Sequence, residues 1–263
     1  MFIPRKIHLI WFGKNQYSSI IEKCIESWKT FCPDYEIKIW NEDNFDININ
    51  EFVREAYESK KWAFVSDYVR VYALYNEGGV YIDSDCELIK GIDEILDDQH
   101  AVTGYASSNW LQSGFMASER GNEWIKMIMN YYENRHFILE DGRYDMKVNN
   151  AIITELCMNN CDFKLGDSYI NMGMVKVYPR IYFQPYAKRT INWNKADIND
   201  VKKYYKYDKE KTVCIHYGTG SWVKNRNSGL FKLKHLVRMI FPSFIIEKLE
   251  KIYYKHHDWS SVK

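Results

Sequence analysis

The chain has 263 residues, 46% of them hydrophobic and 16% aromatic, and a formal net charge of +1. This apolar content excludes global disorder, and a near-neutral chain lacks the overall basic character of nucleic-acid-binding proteins. The length is sufficient for one large α/β domain with a tail. We expect one large domain at 1–229, followed by a tail at 230–263.

Strand and helix patterns alternate along the first third of the chain. The sequence predicts strands at 7–11 and 35–39 and helices at 18–31, 52–60 and 63–77. Gly78 and Gly79 end the last helix before a strand at 80–82. Later segments predict strands at 101–105, 114–117, 175–178 and 212–216, and helices at 123–132 and 148–158. This order is typical of an α/β fold with a mostly parallel central sheet flanked by helices on both faces.

Two aspartates follow the third strand, in the segment GGVYIDSDCE at 78–87. Ligands of parallel sheets bind beyond the carboxyl ends of the strands, which is where Asp83 and Asp85 fall. Adjacent carboxylates are unfavourable unless a cation lies between them, and hard oxygen donors select Mg²⁺ or Mn²⁺. The pattern favours a divalent metal site, although a solvated acidic turn is the alternative. Glu87, the remaining carboxylate of the segment, fits the solvated alternative best.

The helix before this strand carries a second group of polar residues. Asp67 and Arg70 are three residues apart, so they share one side of the helix, away from the apolar stripe. An exposed ion pair of this spacing is an ordinary surface feature. Because the pair directly precedes the acidic strand, we interpret it as part of the same site.

A third group follows the strand at 212–216. His216 leads into the glycine-containing segment Tyr217-Gly218-Thr219-Gly220, after which Ser221 and Trp222 come. An imidazole can ligate a metal or contact a diphosphate, and the amides of a glycine loop can bind anions. A structural histidine followed by an ordinary turn is the alternative interpretation.

Taken together, these motifs resemble glycosyltransferase family 32. The resemblance rests on four blocks in the same order: IHLIWFG at 7–13, AxxSDxxR at 63–70, GGVYIDSD at 78–85, and the segment from His216 to Ser221 and Trp222. It is dense over 5–90 and returns at 212–222. The family includes capsular polysaccharide and mannosyl transferases, and its core resembles the glucosyltransferase domains of large glucosylating toxins.

The resemblance implies a GT-A fold, a nucleotide-sugar donor, a Mn²⁺ or Mg²⁺ requirement and retention of anomeric configuration. By position, Trp11 would flank the nucleotide base, while Ser66, Asp67 and Arg70 would bind the donor. Asp83 would reach the ribose or the metal, and Asp85 would ligate the metal. His216 would contact metal or phosphate, and Ser221 and Trp222 would close over the diphosphate.

The expected activity is therefore hexosyl transfer from a nucleotide sugar to a glycan or lipid-linked glycan acceptor, in capsular or cell-surface polysaccharide synthesis. UDP-galactose or UDP-glucose is favoured, with GDP-mannose as an alternative. The chain departs from the family pattern at Gln112-Ser113-Gly114 and at Asn149-Asn150. Two other functions fit parts of the sequence. A haloacid-dehalogenase-type phosphatase or phosphotransferase also uses Asp-x-Asp after a strand, and a non-catalytic protein could bind sugar at the same residues.

The tail and the cysteines bear on localisation. The segment 224–255 has eight Lys or Arg against two Glu, together with regularly spaced apolar residues. Such a basic amphipathic tail either packs on the core or lies on an anionic membrane surface. Scattered cysteines without a signal-peptide pattern indicate reduced thiols. We expect a cytoplasmic protein, with peripheral contact at the inner face of the membrane as one role for the tail.

Overall fold

The computed structural model describes residues 2–187, 198–219 and 260–261. Its α-helices are α1 (Ser19–Phe31), α2 (Glu51–Glu58), α3 (Trp62–Glu77), α4 (Asp93–Leu96), α5 (Glu123–Asn130) and α6 (Asn149–Asn160). Its strands are β1 (Lys6–Ile10), β2 (Glu36–Trp40), β3 (Gly79–Ile82), β4 (Cys86–Leu88), β5 (Ala101–Ser107), β6 (Trp110–Leu111), β7 (Phe115–Ser118), β8 (Tyr144–Asp145), β9 (Ile170–Asn171), β10 (Lys176–Tyr178), β11 (Tyr186–Ala187), β12 (Tyr205–Lys206), β13 (Cys214–His216) and β14 (Ser260–Ser261). Short 3₁₀ segments lie at Arg180–Tyr182 and Ile198–Tyr204.

The central sheet has eight strands in the order β2-β1-β3-β7-β5-β10-β9, with β6 paired to β5. β1 is parallel to β2 and β3, and β10 is parallel to β5. β7 is antiparallel to both β3 and β5. Five strands, β2, β1, β3, β5 and β10, therefore run in one direction. The predicted α/β fold with a mostly parallel central sheet is confirmed.

Strict alternation along the central strands builds a core on each face of the sheet. Val80 and Ile82 pack with Trp28 of α1 and with α4. Tyr81 points the other way, into the core formed with α2, α3, α5 and α6. Because successive strand side chains point to opposite faces, the continuously apolar β3 contributes to both cores. This confirms that helices cover both faces.

The two glycines before β3 are required by the backbone. Gly78 has φ +67° and Gly79 has φ +107°. A Cβ on Gly79 would lie 2.6 Å from the Lys6 carbonyl oxygen, and one on Gly78 would lie 2.8 Å from the Arg120 amide nitrogen. The pair thus ends α3 and brings the next strand directly against β1.

Several short elements were missing from the sequence prediction: the two-residue strands, the 3₁₀ segments, β4 and α4. β4 follows the aspartates and pairs antiparallel with β13, in a small sheet separate from the central one. α4 is a single turn before β5. Neither is long enough to show a periodicity, so β4 is defined only by its pairing. The other predicted elements lie within a few residues of the observed bounds.

Most of the predicted tail, 230–263, lies outside the described residues. Ser260–Ser261 pairs antiparallel with β8, Ser260 opposite Asp145 and Ser261 opposite Tyr144. Across the described ranges, no helix combines the length and apolar character that a membrane span requires. All six cysteines are free, and five of them are buried.

Candidate active site

The two aspartates lie in a tight turn at the carboxyl end of β3. The Asp83 amide donates to the Gly114 carbonyl oxygen at 2.8 Å, and the Cys86 amide donates back to the Asp83 carbonyl oxygen at 2.9 Å. The first bond fixes the turn to the start of β7, and the second begins β4. Both carboxylates are largely buried, with side-chain exposures of 24% for Asp83 and 13% for Asp85.

The two oxygens of Asp83 have different partners. The Tyr81 hydroxyl donates to Oδ1, and Arg70 Nη1 lies 3.5 Å from the same oxygen. Oδ2 faces His216, with 3.6 Å to its Nε2. Tyr81 and Arg70 therefore fix one side of this carboxylate and leave the other turned towards the histidine.

Asp85 is held by the segment after β13. The backbone amide and the hydroxyl of Thr219 donate to Oδ2 at 2.7 and 2.9 Å, while His216 Nε2 lies 3.2 Å from Oδ1. Burial opposes ionisation of Asp85, but the charge of His216 and these hydrogen bonds outweigh it and lower its pKa to about 2. Burial likewise opposes protonation of His216, yet Asp85 and Asp83 raise its pKa to about 9. The protonated imidazole therefore offsets one of the two negative charges, and Arg70 lies beside Asp83.

Asp67 and Arg70 form a buried pair instead of the surface pair that their spacing also allows. Their side chains are 12% and 6% exposed, and Arg70 Nη2 donates to Asp67 Oδ1 at 2.7 Å. Arg70 also donates to the carbonyl oxygens of Ser113 at 2.8 Å and Ser66 at 3.2 Å, and its guanidinium stacks on the Tyr81 ring at 4.4 Å. Burial raises the pKa of Asp67 to about 7, although Arg70 opposes the shift.

The donor set fits a hard divalent cation. Carboxylate oxygens of Asp83 and Asp85 and the His216 imidazole nitrogen converge from two segments, and such oxygen-rich sets suit Mn²⁺ or Mg²⁺. Gly114 leaves room beside them, because a Cβ there would lie 2.8 Å from Asp83 Oδ2 and 3.1 Å from His216 Nδ1. The thiol of Cys86 also lies within 4.8 Å of a ligand atom of Asp85 and of His216. Burial raises its pKa well above the ordinary value, so it stays a thiol and a poor ligand.

The remaining predicted residues are placed as follows. Trp11 follows β1 at the same sheet edge, is partly buried, contacts Tyr17 edge-on at 4.9 Å and donates from its indole nitrogen to the Asn15 carbonyl oxygen. Ser66 lies beside the site, with its hydroxyl 3.4 Å from that of Tyr81. Ser221 and Trp222 lie outside the described residues. The structure thus brings Asp67, Arg70, Asp83, Asp85 and His216 together, with Ser66 at their margin.

Three contacts of the site were missing from the sequence prediction. Tyr81 alternates into the core like any buried strand residue, so nothing in the sequence indicated its bond to Asp83. Thr219 stood in the glycine loop that was identified, but its bond to Asp85 depends on how the loop folds back. The segment Ser113-Gly114 was noted as a departure from the family pattern; its carbonyl oxygens accept from Arg70 and Asp83.

One part of the chain matches a known protein family. Residues 18–102 match the family described as glycosyltransferase sugar-binding region containing DXD motif. The chain is 26% identical over 168 residues to Subversion of eukaryotic traffic protein A of Legionella pneumophila, an alignment that covers 51% of this chain. It spans about a quarter of that relative's length, 26%.

Among solved structures, the PaToxG glycosyltransferase is 19% identical, with 60% of this chain and 69% of that chain covered and a TM-score of 0.44. The galactosyltransferase LgtC in complex with donor and acceptor sugar analogs is 14% identical, with 92% and 99% covered and a TM-score of 0.41. The matched region contains α1, α3, β3 and both aspartates of the site. The similarity to DXD glycosyltransferases therefore lies on the segment that carries the two aspartates. The observed fold is the mixed α/β arrangement, with a mostly parallel central sheet flanked by helices, that the sequence predicted.

Proposed function

We propose that the chain is a metal-dependent, retaining hexosyltransferase that uses a nucleotide-diphosphate sugar. The observation that carries this proposal is the convergence of two carboxylates and an imidazole beyond the carboxyl end of β3. The two aspartates lie in the region that matches the DXD family, and His216 comes from β13. His216 Nε2 lies 3.2 Å from Asp85 Oδ1 and 3.6 Å from Asp83 Oδ2. Departure of a nucleoside diphosphate requires that its growing negative charge be stabilised, and this cluster is suited to holding the cation that does so.

The residues around the cluster have complementary roles in the proposal. Asp85, Asp83 and His216 would hold Mn²⁺ or Mg²⁺, which would supply Lewis-acid stabilisation of the departing diphosphate. Arg70 and Asp67 bind hydroxyl groups of the donor sugar and ribose, with Ser66 beside them. Trp11 flanks the base. Ser221 and Trp222, outside the described residues, close over the diphosphate.

Retention is assigned to attack on the same face of the sugar from which the diphosphate leaves. The bond from the anomeric carbon to the phosphate oxygen breaks, and the bond to the acceptor oxygen forms on that face. The acceptor's proton passes to the leaving phosphate oxygen. This route requires no protein nucleophile at the anomeric carbon, in contrast to the paired carboxylates of retaining glycosidases. Arg70, which donates a hydrogen bond to the Ser113 carbonyl oxygen at 2.8 Å, stays positively charged beside the reacting centre.

The donor and acceptor are proposed as classes. UDP-galactose or UDP-glucose is favoured as donor, with GDP-mannose as the alternative, and the acceptor is a glycan or lipid-linked glycan in capsular or cell-surface polysaccharide synthesis. For such an acceptor we propose a cytoplasmic enzyme of one catalytic domain, 1–229, with the basic tail, 230–263, in peripheral contact with the inner membrane face. Truncation after Gly229 followed by sedimentation with anionic liposomes tests the tail. Unchanged sedimentation would remove it from the proposal.

The activity test is a panel of nucleotide sugars with Mn²⁺, in which donor turnover is measured for the wild type and for Asp85→Asn. We expect turnover of one nucleotide sugar, dependent on added metal, and a loss of at least 100-fold in the variant. Undiminished turnover in Asp85→Asn would refute the metal assignment. Phosphatase activity without sugar transfer would favour the phosphatase alternative, and metal-independent sugar binding without turnover would favour the non-catalytic one.

A further inference from the structure

Glu87 is buried, which contradicts the solvated position that its sequence context favoured. The residue is 3% exposed. Its carboxylate lies 2.7 Å from Lys202 Nζ and 3.5 Å from Lys23 Nζ, and it accepts a hydrogen bond from the Tyr217 hydroxyl. A carboxylate is removed from water only at a substantial cost, which these charged and hydrogen-bonding partners offset. The four residues belong to β4, the 3₁₀ segment Ile198–Tyr204, α1 and the segment after β13.

The backbone and the side chain of Tyr217 are both hydrogen-bonded. Its backbone amide donates to the Asp85 carbonyl oxygen at 3.0 Å, and its own carbonyl oxygen accepts from the Tyr205 hydroxyl at 2.9 Å. The phenol hydroxyl reaches Glu87, and the residue is 4% exposed. Backbone and side chain of Tyr217 are therefore tied to different segments of the fold.

This tyrosine lies between the two residues that contact the Asp85 carboxylate. His216 precedes it and faces Oδ1, and Thr219 follows two residues later and donates twice to Oδ2. A shift of Tyr217 would move both contacts together, because three peptide bonds span the distance from His216 to Thr219. The Glu87–Tyr217 contact does not involve the Asp83, Asp85 or His216 side chains, and it attaches the middle of that segment to β4.

We propose that Glu87 and Tyr217 are positioning residues, which hold segment 216–219 in the geometry that binds the cation. The inference rests on the proposed metal site and adds to it two residues that touch neither metal nor substrate. Partners that orient metal ligands from behind typically contribute 10- to 100-fold to metal affinity. Without Glu87 the Tyr217 hydroxyl loses its acceptor, and Lys23 and Lys202 lose the charge between them.

The competing explanation is that Glu87 and its partners stabilise the fold but have no effect on the metal site. In that case, loss of Glu87 or of the Tyr217 hydroxyl would lower the midpoint of unfolding but leave the metal affinity of the folded protein unchanged. Tyr217→Phe is the more discriminating variant, since it deletes one oxygen and keeps the buried ring. Glu87→Gln keeps the shape and removes the charge.

The first measurement is titration of the full chain with Mn²⁺, with free Mn²⁺ followed by electron paramagnetic resonance. We expect the Kd to rise about tenfold or more in Tyr217→Phe and in Glu87→Gln. Two matched controls remove similar groups elsewhere. Tyr105→Phe deletes a buried hydroxyl that has no hydrogen-bond partner within the described residues. Glu77→Gln removes a carboxylate that is also held by two lysines, Lys6 and Lys38, at the other end of the sheet.

The second measurement needs no metal. Hydrogen exchange of the peptide covering 214–219 reports on the hydrogen bonds that the backbone amides of Tyr217 and Thr219 donate to Asp85. We expect faster exchange of this peptide in both variants than in the controls. Unchanged Kd and unchanged exchange in folded Tyr217→Phe would overturn the inference. If the wild type binds no Mn²⁺, the proposed metal site fails, and the exchange result alone decides: faster exchange upholds the positioning role and unchanged exchange overturns it.

Discussion

Metal binding at this site should release a proton from His216. The histidine lies between Asp83 and Asp85, which raise its pKa to about 9, so it is almost fully protonated at pH 7. Only the neutral imidazole can ligate a cation. The perturbation to apply is therefore pH, and the matched variant is His216→Gln, which carries no titrating group at this position.

The magnitude follows from the proton competition. With a pKa of about 9, the neutral form of His216 makes up roughly 1% of the protein at pH 7. Apparent affinity for Mn²⁺ then rises roughly tenfold per pH unit below the pKa, or roughly 70-fold between pH 6.5 and 8.5. The direction is fixed, because the pKa is raised above 6.5: affinity increases with pH and levels off above about 9.

Isothermal titration calorimetry measures the effect directly. Titrations of Mn²⁺ at pH 7 in two buffers of different ionisation enthalpy give the number of protons released. We expect about one for the wild type and about zero for His216→Gln, whose weaker affinity should no longer depend on pH in this range. Binding by the wild type without proton release would refute the reasoning, since it would place the cation away from the histidine.

Three further results are expected. Gly114→Ala should abolish metal binding with little loss of stability, because the new Cβ would lie 2.8 Å from Asp83 Oδ2 and 3.1 Å from His216 Nδ1. Titration with Mn²⁺ measures the metal binding, and thermal unfolding measures the stability. Arg70→Met should destabilise the protein by about 3 kcal/mol or more in urea unfolding, because it leaves Asp67 buried without its partner. The metal-free wild type should lose up to about 3 kcal/mol of unfolding free energy as pH rises from 6.5 through about 9, since the His216 contribution is fully present only below 6.5.

Each of these results has a control. Gly166→Ala adds a methyl group in ordinary contact, 3.7 Å from the Ser168 hydroxyl oxygen, and should leave metal binding intact. Metal binding by Gly114→Ala equal to that of the wild type would contradict the geometry of the site. A loss of stability below 1 kcal/mol in Arg70→Met would show that the buried pair contributes little. Equal pH dependence of unfolding in His216→Gln would assign the effect to other groups.

Local pattern was sufficient for the elements that precede the site, but not for β4, which follows it. Apolar runs, helical spacing and the glycines before β3 predicted the order strand, helix, strand, two helices, strand. The Asp83 and Asp85 pair was recognisable for a related reason: two carboxylates one residue apart after a strand are defined by sequence distance alone. The resemblance then linked them to Asp67, Arg70 and His216, which lie far apart in the chain.

The tertiary structure alone decided which polar groups meet. Asp67 and Arg70 are three residues apart whether they form an exposed surface pair or a buried one. Only the packing of α3 between the sheet and its neighbouring helices makes them a buried pair. Glu87 appeared solvated because its partners, Lys23, Lys202 and Tyr217, are distant in sequence. Chain order determines which element a side chain stands on, whereas its burial and partners depend on contacts between remote segments, and those contacts determine charge and metal affinity.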